Sequence, residues 1–127
     1  MMDDNYCFAC GEDNPIGLKL KFTLNENKDK IRTEFVPGRE FQGYPDITHG
    51  GIISTVLDEC MARLTIDTGI DAVTAKMTTK FRKSAKTGER LVGEARFIKR
   101  GTSRKTPQCF HGFHFSNLQF VTGLYGL

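Results

Sequence analysis

The sequence predicts an α+β fold in which a single helix covers one face of an antiparallel sheet. Two segments with alternating apolar residues come first, one long helical segment follows, and further alternating segments come after it. The turns between neighbouring strand segments are short, as is typical of antiparallel pairing. Strands precede and follow the helix in the sequence, and the helix has one apolar face. This order predicts two packed layers, a sheet and the helix that covers one of its faces.

The first two strands are predicted by apolar residues at every second position. Residues 18–24 carry Leu or Phe at alternate positions, and residues 31–35 alternate in the same way. Residues 25–29 are polar and form the turn between them, so we expect a hairpin. Residues 39–48 are expected to form a loop.

A helix is predicted from Gly50 or Gly51 to Thr65, and Thr68-Gly69 forms the turn after it. Its apolar residues recur at helical spacing and fill about half of the circumference. They are Ile52, Ile53, Val56, Leu57, Cys60, Met61 and Leu64. This helix is expected to lie on an apolar surface.

Two further strands are predicted over residues 72–83 and 91–100, with a turn at residues 87–89. Residues 106–127 contain no Asp, Glu, Lys or Arg. Three interpretations of this tail stay open: a divergent last strand, an altered C-terminus that still packs, or an exposed apolar segment that promotes association.

The length of 127 residues predicts one domain, residues 1–127, in which residues 106–127 are an atypical C-terminal segment. No apolar run approaches the roughly 20 residues of a membrane span. The acidic N-terminus lacks the apolar core of a secretory signal, so we expect a cytoplasmic protein. Neither a membrane nor a nucleic acid is expected as a partner.

The charge is distributed unevenly. Residues 1–75 hold 7 basic and 13 acidic side chains, whereas residues 76–105 hold 11 basic and 2 acidic ones. The basic block suits a polyanionic ligand. Solvated outer faces of strands explain it equally well.

The first candidate for chemistry is His49-Gly50-Gly51, where the loop becomes the helix. Glycines there expose the first helical N–H groups, which have no intrahelical partner and carry the positive end of the helix dipole. Such a helix start can bind an anion or polarise a carbonyl. A plain glycine-rich connection is the alternative interpretation.

The second candidate is Asp58, which lies in the body of the helix, where Asp has a poor propensity and no capping role. Its neighbours on the helical wheel are all small or hydroxylated: Ser54, Thr55, Ala62 and Thr65. Such a face suggests close approach of a ligand or another chain, although a solvated Asp is also possible. Glu59 is instead expected to form a surface pair with Arg63 at i+4.

The spacing of these candidates has a geometric consequence. Gly50 and Asp58 are eight residues apart, which is about 12 Å along a helix axis. One substrate carbonyl cannot touch both within one chain. If both act on it, they come from two subunits whose helices lie side by side and antiparallel.

Several short segments are distinctive in combination. They are Cys7-Phe8-Ala9-Cys10-Gly11, Asn14-Pro15-Ile16-Gly17-Leu18, Phe41-Gln42-Gly43-Tyr44-Pro45, His49-Gly50-Gly51 with Asp58-Glu59, and Ala72-Val73-Thr74-Ala75. Together they resemble the PaaI-type branch of the hotdog-fold acyl-CoA thioesterases, over residues 7–100. The resemblance implies a hotdog fold, with one long central helix wrapped by a curved antiparallel sheet.

The resemblance also implies an acyl-CoA substrate, no metal or other cofactor, and a homodimer that can pair into a homotetramer. It assigns Asp58 as nucleophile or general base, and the Gly50 N–H as the group that polarises the thioester carbonyl. His49 lines the site, and Thr74 positions the water or the acid. Several relatives carry an Asn where this sequence has Gly43, which departs from the pattern.

Four further residues are expected to bind substrate. Gly51 is the last residue of the His-Gly-Gly motif. Gln42 lies next to Gly43, the position at which several relatives carry an Asn. Lys80 and Arg82 belong to the basic block, which suits the phosphates of coenzyme A.

Other functions are also open. A non-catalytic hotdog protein that binds acyl-CoA is the main alternative, and a hydratase is less favoured because no His follows Asp58 before residue 111. Cys7 and Cys10 form a lone C-x-x-C pair. A structural zinc site needs four ligands, so Cys109, His111 and His114 would have to supply the others. A redox role is weaker, because the motif lacks a βαβ context.

Overall fold

The computed structural model describes residues 3–70, 72–97, 109–115 and 118–126. The elements are β1 (Phe22–Leu24), β2 (Lys30–Phe35), a 3-10 turn (Arg39–Phe41), α1 (Gly50–Asp67), β3 (Ala72–Lys76), β4 (Leu91–Arg96), β5 (Cys109–Phe115) and β6 (Leu118–Gly126). All strand pairs are antiparallel. The predicted α+β fold is therefore confirmed. No helix in the described ranges is long and apolar enough to cross a membrane.

The strands pair in the orders β1-β2-β4 and β3-β6-β5. The two groups meet where β4 lies beside β5. Strand β3 pairs with β6 on one side, and no described strand pairs with its other side. The edge strand β3 therefore presents free backbone groups.

Strand β2 lies between β1 and β4 and turns one face toward the core. Its inward-facing residues are buried, and its outward-facing residues are exposed. Ile31 lies opposite Ala95, and Phe35 lies opposite Leu91, all of them buried. The apolar residues of the alternating pattern thus lie on the inner face of the sheet.

Helix α1 packs its apolar side onto this inner face and contacts β1, β2, β3 and β4. Its buried residues are Ile53, Val56, Leu57, Cys60, Met61, Leu64 and Thr65. The predicted helix is confirmed and continues two residues further, to Asp67. Arg63 pairs with Asp67 at 3.0 Å, so the expected Glu59–Arg63 pair is wrong.

Two predicted strands are shorter than their patterns. The chain is not extended at Lys19, which has a φ of 53°, so β1 begins only at Phe22. Leu18 and Leu20 are nevertheless buried, because their N–H groups bond to the carbonyls of Phe8 and Ala9. The loop before the first strand thus supplies the partner that a longer strand would have used.

Strand β3 ends at Lys76, although the alternating pattern continues to residue 83. A register shift between Val73 and Lys76 disturbs its pairing with β6, and Lys76 is the last residue paired. Residues 98–100 of the next predicted strand lie outside the described residues. The tail contains two strands that pair with each other, β5 and β6.

Candidate active site

The start of α1 is capped by His49. Its Nδ1 accepts a hydrogen bond from the Gly51 N–H at 2.8 Å, so the neutral ring carries its proton on Nε2. Its carbonyl accepts from Ile52 at 3.0 Å and Ile53 at 3.3 Å. Gly50 donates to no described residue. The first turn therefore presents one N–H group, that of Gly50, for a ligand.

The approach to this N–H is narrow. A Cβ on Gly50 would lie 3.3 Å from the Phe81 ring, and a Cβ on Gly51 would lie 3.0 Å from Nδ1 of His49. The loop before the helix is held by a bond from the His49 N–H to the Phe41 carbonyl, at 2.8 Å. Glycine at both positions keeps room around the helix start.

Two grooves flank the helix start. The first, named the Phe81 groove, has a volume of about 340 Å³ and is lined by Ile47, Thr48, Gly50, Ile53, Phe81, Arg82, Lys83, Ser84 and Ala85. The second, named the Gln42 groove, has a volume of about 300 Å³ and is lined by Glu40, Phe41, Gln42, His49, Gly51, Ile52 and Thr55.

The grooves separate the predicted binding residues. Gln42 and Gly51 lie together with His49 in the Gln42 groove. Arg82 lies in the Phe81 groove with Gly50, whereas Lys80 is exposed and lines neither groove. A ligand in the Phe81 groove would thus meet both a free N–H and a guanidinium group.

The Phe81 groove contains two residues that the sequence did not single out. Phe81 follows the end of β3, and its ring lies beside Gly50. Thr48 is only 4% exposed, and its Oγ1 has no hydrogen-bond partner among the described residues. A buried hydroxyl without a partner is unusual in a folded protein, which marks Thr48 as a candidate ligand contact.

Asp58 and Thr74 form the second part of the site. Both side chains are half-buried, and the Thr74 hydroxyl donates to Oδ1 of Asp58. Asp58 forms no ion pair within the described part of the chain, and its Oδ2 accepts no described hydrogen bond. One carboxylate oxygen is therefore held by Thr74, while the other has no partner among the described residues.

Two of the cysteines, Cys10 and Cys60, have thiols whose pKa is raised. Burial raises the pKa of the Cys60 thiol, and the nearby Glu59 charge adds to the shift. Burial also raises the pKa of Cys10, with further contributions from Glu59 and Cys7. Both thiols are thus protonated at neutral pH, and only a thiolate is a good nucleophile.

A family model matches this chain over residues 46–106, and its description is Thioesterase superfamily. The matched range contains the helix start, Asp58 and Thr74. The resemblance to the PaaI-type hotdog thioesterases is confirmed. A comparison with curated protein sequences found no significant match.

Solved structures show the same hotdog fold at low identity. A thioesterase superfamily protein superposes with a TM-score of 0.83 at 17% identity, covering 95% of this chain and 63% of the other. This chain thus spans less than two thirds of that protein. The Escherichia coli PaaI protein of the phenylacetic acid degradation operon has a TM-score of 0.69 at 16% identity, with 86% and 77% covered.

A third structure is a hypothetical thioesterase from Streptococcus pneumoniae with coenzyme A, at a TM-score of 0.68 and 16% identity. It covers 84% of this chain, and this chain covers 86% of it. Two mutants of that protein have also been solved, one with an Asp and one with a Thr replaced by Ala; these positions are 16 residues apart (68 − 52).

Proposed function

We propose that this chain is an acyl-CoA thioesterase that hydrolyses a thioester to a free acid and coenzyme A. The observation that carries the proposal is the presence on one helix of two groups: the Gly50 N–H, which has no partner among the described residues, and the Asp58 carboxylate, which accepts a hydrogen bond from Thr74. A carbonyl-activating donor and a carboxylate suffice for a thioester, because its carbonyl is electrophilic and its thiolate leaves readily.

Asp58 acts through its free Oδ2. Either this oxygen attacks the thioester carbonyl carbon directly, or it takes a proton from a water that attacks. In both cases negative charge develops on the carbonyl oxygen, where a backbone N–H stabilises it. The C–S bond then breaks, and coenzyme A leaves as a thiolate that takes up a proton. In the direct route, water hydrolyses the resulting anhydride with Asp58.

Thr74 is a positioning residue in this scheme. Its hydroxyl donates to Oδ1 and so fixes the carboxylate plane. The Streptococcus pneumoniae mutants support the pairing, because their Asp and Thr positions have the same 16-residue separation as Asp58 and Thr74.

The scheme requires two subunits. Gly50 and Asp58 lie on one helix and are separated by about 12 Å, so Asp58 acts with Gly50 of the partner subunit. Strand β3 carries Thr74 and has one unpaired edge among the described strands. Val73 on β3 and Ile66 on α1 are 42% and 51% exposed, which is costly for apolar side chains in water. A homodimer through this surface brings the two halves together, and a dimer of dimers is possible on the same plan.

Coenzyme A fits the charge around the helix start. Arg82 lines the Phe81 groove beside Lys83, and Lys80 is exposed nearby along the chain. These cations suit its phosphates, while the acyl thioester reaches the Gly50 N–H. The structure of the Streptococcus pneumoniae relative contains coenzyme A, which supports this class of ligand.

One observation favours a second candidate, a non-catalytic protein that binds acyl-CoA. Gly43 occupies the position where several relatives carry an Asn, and a Cβ there would lie 3.4 Å from the His49 ring. An Asn side chain at this point would contact the imidazole, and glycine supplies no such contact. Binding without turnover is the expected behaviour if that contact is essential.

The two candidates are separated by measuring thiol release from a panel of short, long and aromatic acyl-CoAs. We expect turnover by the wild-type protein and at least about a 100-fold loss in Asp58→Asn, which keeps the shape but removes the charge. Asp67→Asn is the matched control, since Asp67 lies on the same helix and pairs with Arg63. Equal rates for wild type and Asp58→Asn would end the proposal. Tight binding with no turnover of any acyl-CoA would establish the second candidate.

A further inference from the structure

Two cysteines and one glutamate form a cluster apart from the candidate active site. Cys7 and Cys10 come from the loop that precedes β1, and Glu59 comes from α1, about 100° around the helix from Asp58. All three side chains are half-buried, and their ligand atoms lie within 4.8 Å of one another. The sequence had assigned Glu59 to Arg63, and no local pattern links it to the cysteines.

The turn that carries the two cysteines is shaped around Cys7. The Ala9 N–H points at the Cys7 sulfur at 3.4 Å, and the Gly11 N–H bonds to the Cys7 carbonyl at 2.9 Å. A Cβ on Gly11 would lie 2.4 to 2.7 Å from backbone atoms, so only glycine fits. This tight turn places both sulfurs within 4.8 Å of the Glu59 carboxylate on α1.

Among the described residues, Glu59 forms no salt bridge with a cation. Its carboxylate oxygens lie 3.8 and 3.9 Å from the Cys7 sulfur, and the Cys10 thiol donates to it. Arg63 is engaged by Asp67. A half-buried carboxylate whose described partners are two weak thiol donors has an uncompensated charge.

We propose that Cys7, Cys10 and Glu59 bind a zinc ion, with a fourth position open to water. Two thiolates and one carboxylate are ligands that zinc accepts in tetrahedral geometry, with Zn–S near about 2.3 Å and Zn–O near about 2.1 Å. Ligand atoms around such an ion are separated by about 3.5 to 3.8 Å. The Cys7–Glu59 separation is already 3.8 Å, and no separation in the cluster exceeds 4.8 Å, so the side chains need to close by at most about 1 Å.

The ion would fasten the N-terminal loop to the central helix. That loop contributes Ala9, Leu18 and Leu20 to the core, and the N–H groups of Leu18 and Leu20 bond to the carbonyls of Phe8 and Ala9 within the loop. A metal bridge from the loop to Glu59 would hold these apolar residues against α1. The role is structural, and it is independent of whether the chain hydrolyses thioesters.

The test uses the full chain, stripped of metal with a chelator and kept reduced with a phosphine. Co²⁺ is added first, because its absorption reports tetrahedral thiolate coordination, and Zn²⁺ is then added to displace it. We expect one Co²⁺ per chain and a rise in melting temperature with Zn²⁺. Outer-shell partners alone change metal affinity by about 10–100-fold, so Cys7→Ser and Cys10→Ser should each weaken binding by at least about 100-fold, and Glu59→Gln by at least about tenfold.

Cys60→Ala is the matched control, since Cys60 is a buried thiol next to Glu59 in sequence and lies outside the cluster. It should bind Co²⁺ as the wild type does, and circular dichroism shows whether each variant is folded. Stoichiometric Co²⁺ binding by folded Cys7→Ser and Cys10→Ser would overturn the proposal. The absence of thiolate-to-cobalt absorption in the reduced wild-type protein would overturn it too, since two thiolates are required.

Discussion

Replacing Gly50 by alanine separates the proposed chemistry from the stability of the fold. The N–H of Gly50 is the first-turn donor that no described residue uses. Alanine keeps this N–H but adds a methyl group 3.3 Å from the Phe81 ring, on the side where the Phe81 groove opens. The methyl therefore occupies the path by which a carbonyl reaches the donor.

The effect on stability should be small. Gly50 is already helical, and alanine in place of a helical glycine is worth about 0.5–1 kcal/mol at most. The Phe81 ring is 56% exposed and can move by the few tenths of an ångström that a contact at 3.3 Å demands. We expect the melting temperature to stay within about 5 °C of the wild type.

The effect on hydrolysis should be large. Loss of one oxyanion donor lowers kcat by about 10²–10³ in enzymes that depend on it, equivalent to about 2.7–4 kcal/mol. A donor that the carbonyl cannot approach stabilises no negative charge on it, so the effect on kcat should equal that of removing the donor. We expect kcat/KM for the best acyl-CoA of the panel to fall at least about 100-fold.

The measurement combines thiol-release kinetics with thermal unfolding. Gly51→Ala is the comparison, because its methyl lies 3.0 Å from the capping nitrogen of His49 and should disturb the cap, lowering stability by about 0.5–2 kcal/mol. A folded Gly50→Ala protein with the kcat/KM of the wild type would refute the assignment of the Gly50 N–H as the polarising donor.

Three further changes test other parts of the structure. Leu64→Ala, at a fully buried position on α1, should lower the free energy of unfolding in urea by about 2–5 kcal/mol, and a loss below about 1 kcal/mol would contradict its place in the core. Thr48→Val removes a buried hydroxyl without a described partner, so the melting temperature should hold or rise while KM increases; a clear drop in melting temperature would mean that the hydroxyl has a partner. Arg90 holds the pKa of Glu34 below its ordinary 4.5 by a hydrogen bond, so the pair stabilises the fold above that pH and loses its effect as the pH falls. The urea midpoint of Arg90→Ala should therefore lie below that of the wild type at neutral pH and approach it as the pH falls through the lowered pKa of Glu34, and a pH-independent difference would speak against the pair.

Local patterns predicted the central elements of the fold. The helix from Gly50 and the hairpin strand β2 both follow from the spacing of their apolar residues, because burial on one side of a helix or strand repeats with the period of that element. The turns at Gly69 and Gly88 were also predicted, and both glycines have a positive φ, which other residues rarely adopt.

The sequence failed where the outcome depends on distant partners. Lys19 interrupts a perfectly alternating segment, because the loop at Phe8 and Ala9 supplies backbone bonds that compete with the strand. Glu59 has an ideal helical partner in Arg63, yet it turns to Cys7, 52 residues away. Helical spacing carries no information about such a contact, since its energy comes from the tertiary arrangement.

The candidate site was predicted in its parts but not in its surroundings. Asp58 was found because Asp is unusual in the body of a helix, and Gly50 because a glycine at a helix start exposes its N–H group. His49 was found from the family resemblance. Thr48 was not found, because a buried threonine looks the same in sequence whether or not its hydroxyl has a partner.

The arrangement of α1 connects the proposed chemistry to assembly. The helix places its donor at one end and its carboxylate two turns away, and a straight helix cannot bring them closer. A second copy with its helix antiparallel places its own Gly50 beside the first Asp58 and forms two equivalent sites by symmetry. The partner must approach the half-buried side that holds Asp58 and Thr74, and there β3 has its unpaired edge. In the proposed dimer this surface serves both subunit contact and substrate binding, and the small side chains of Ser54, Thr55 and Ala62 beside Asp58 leave room for both.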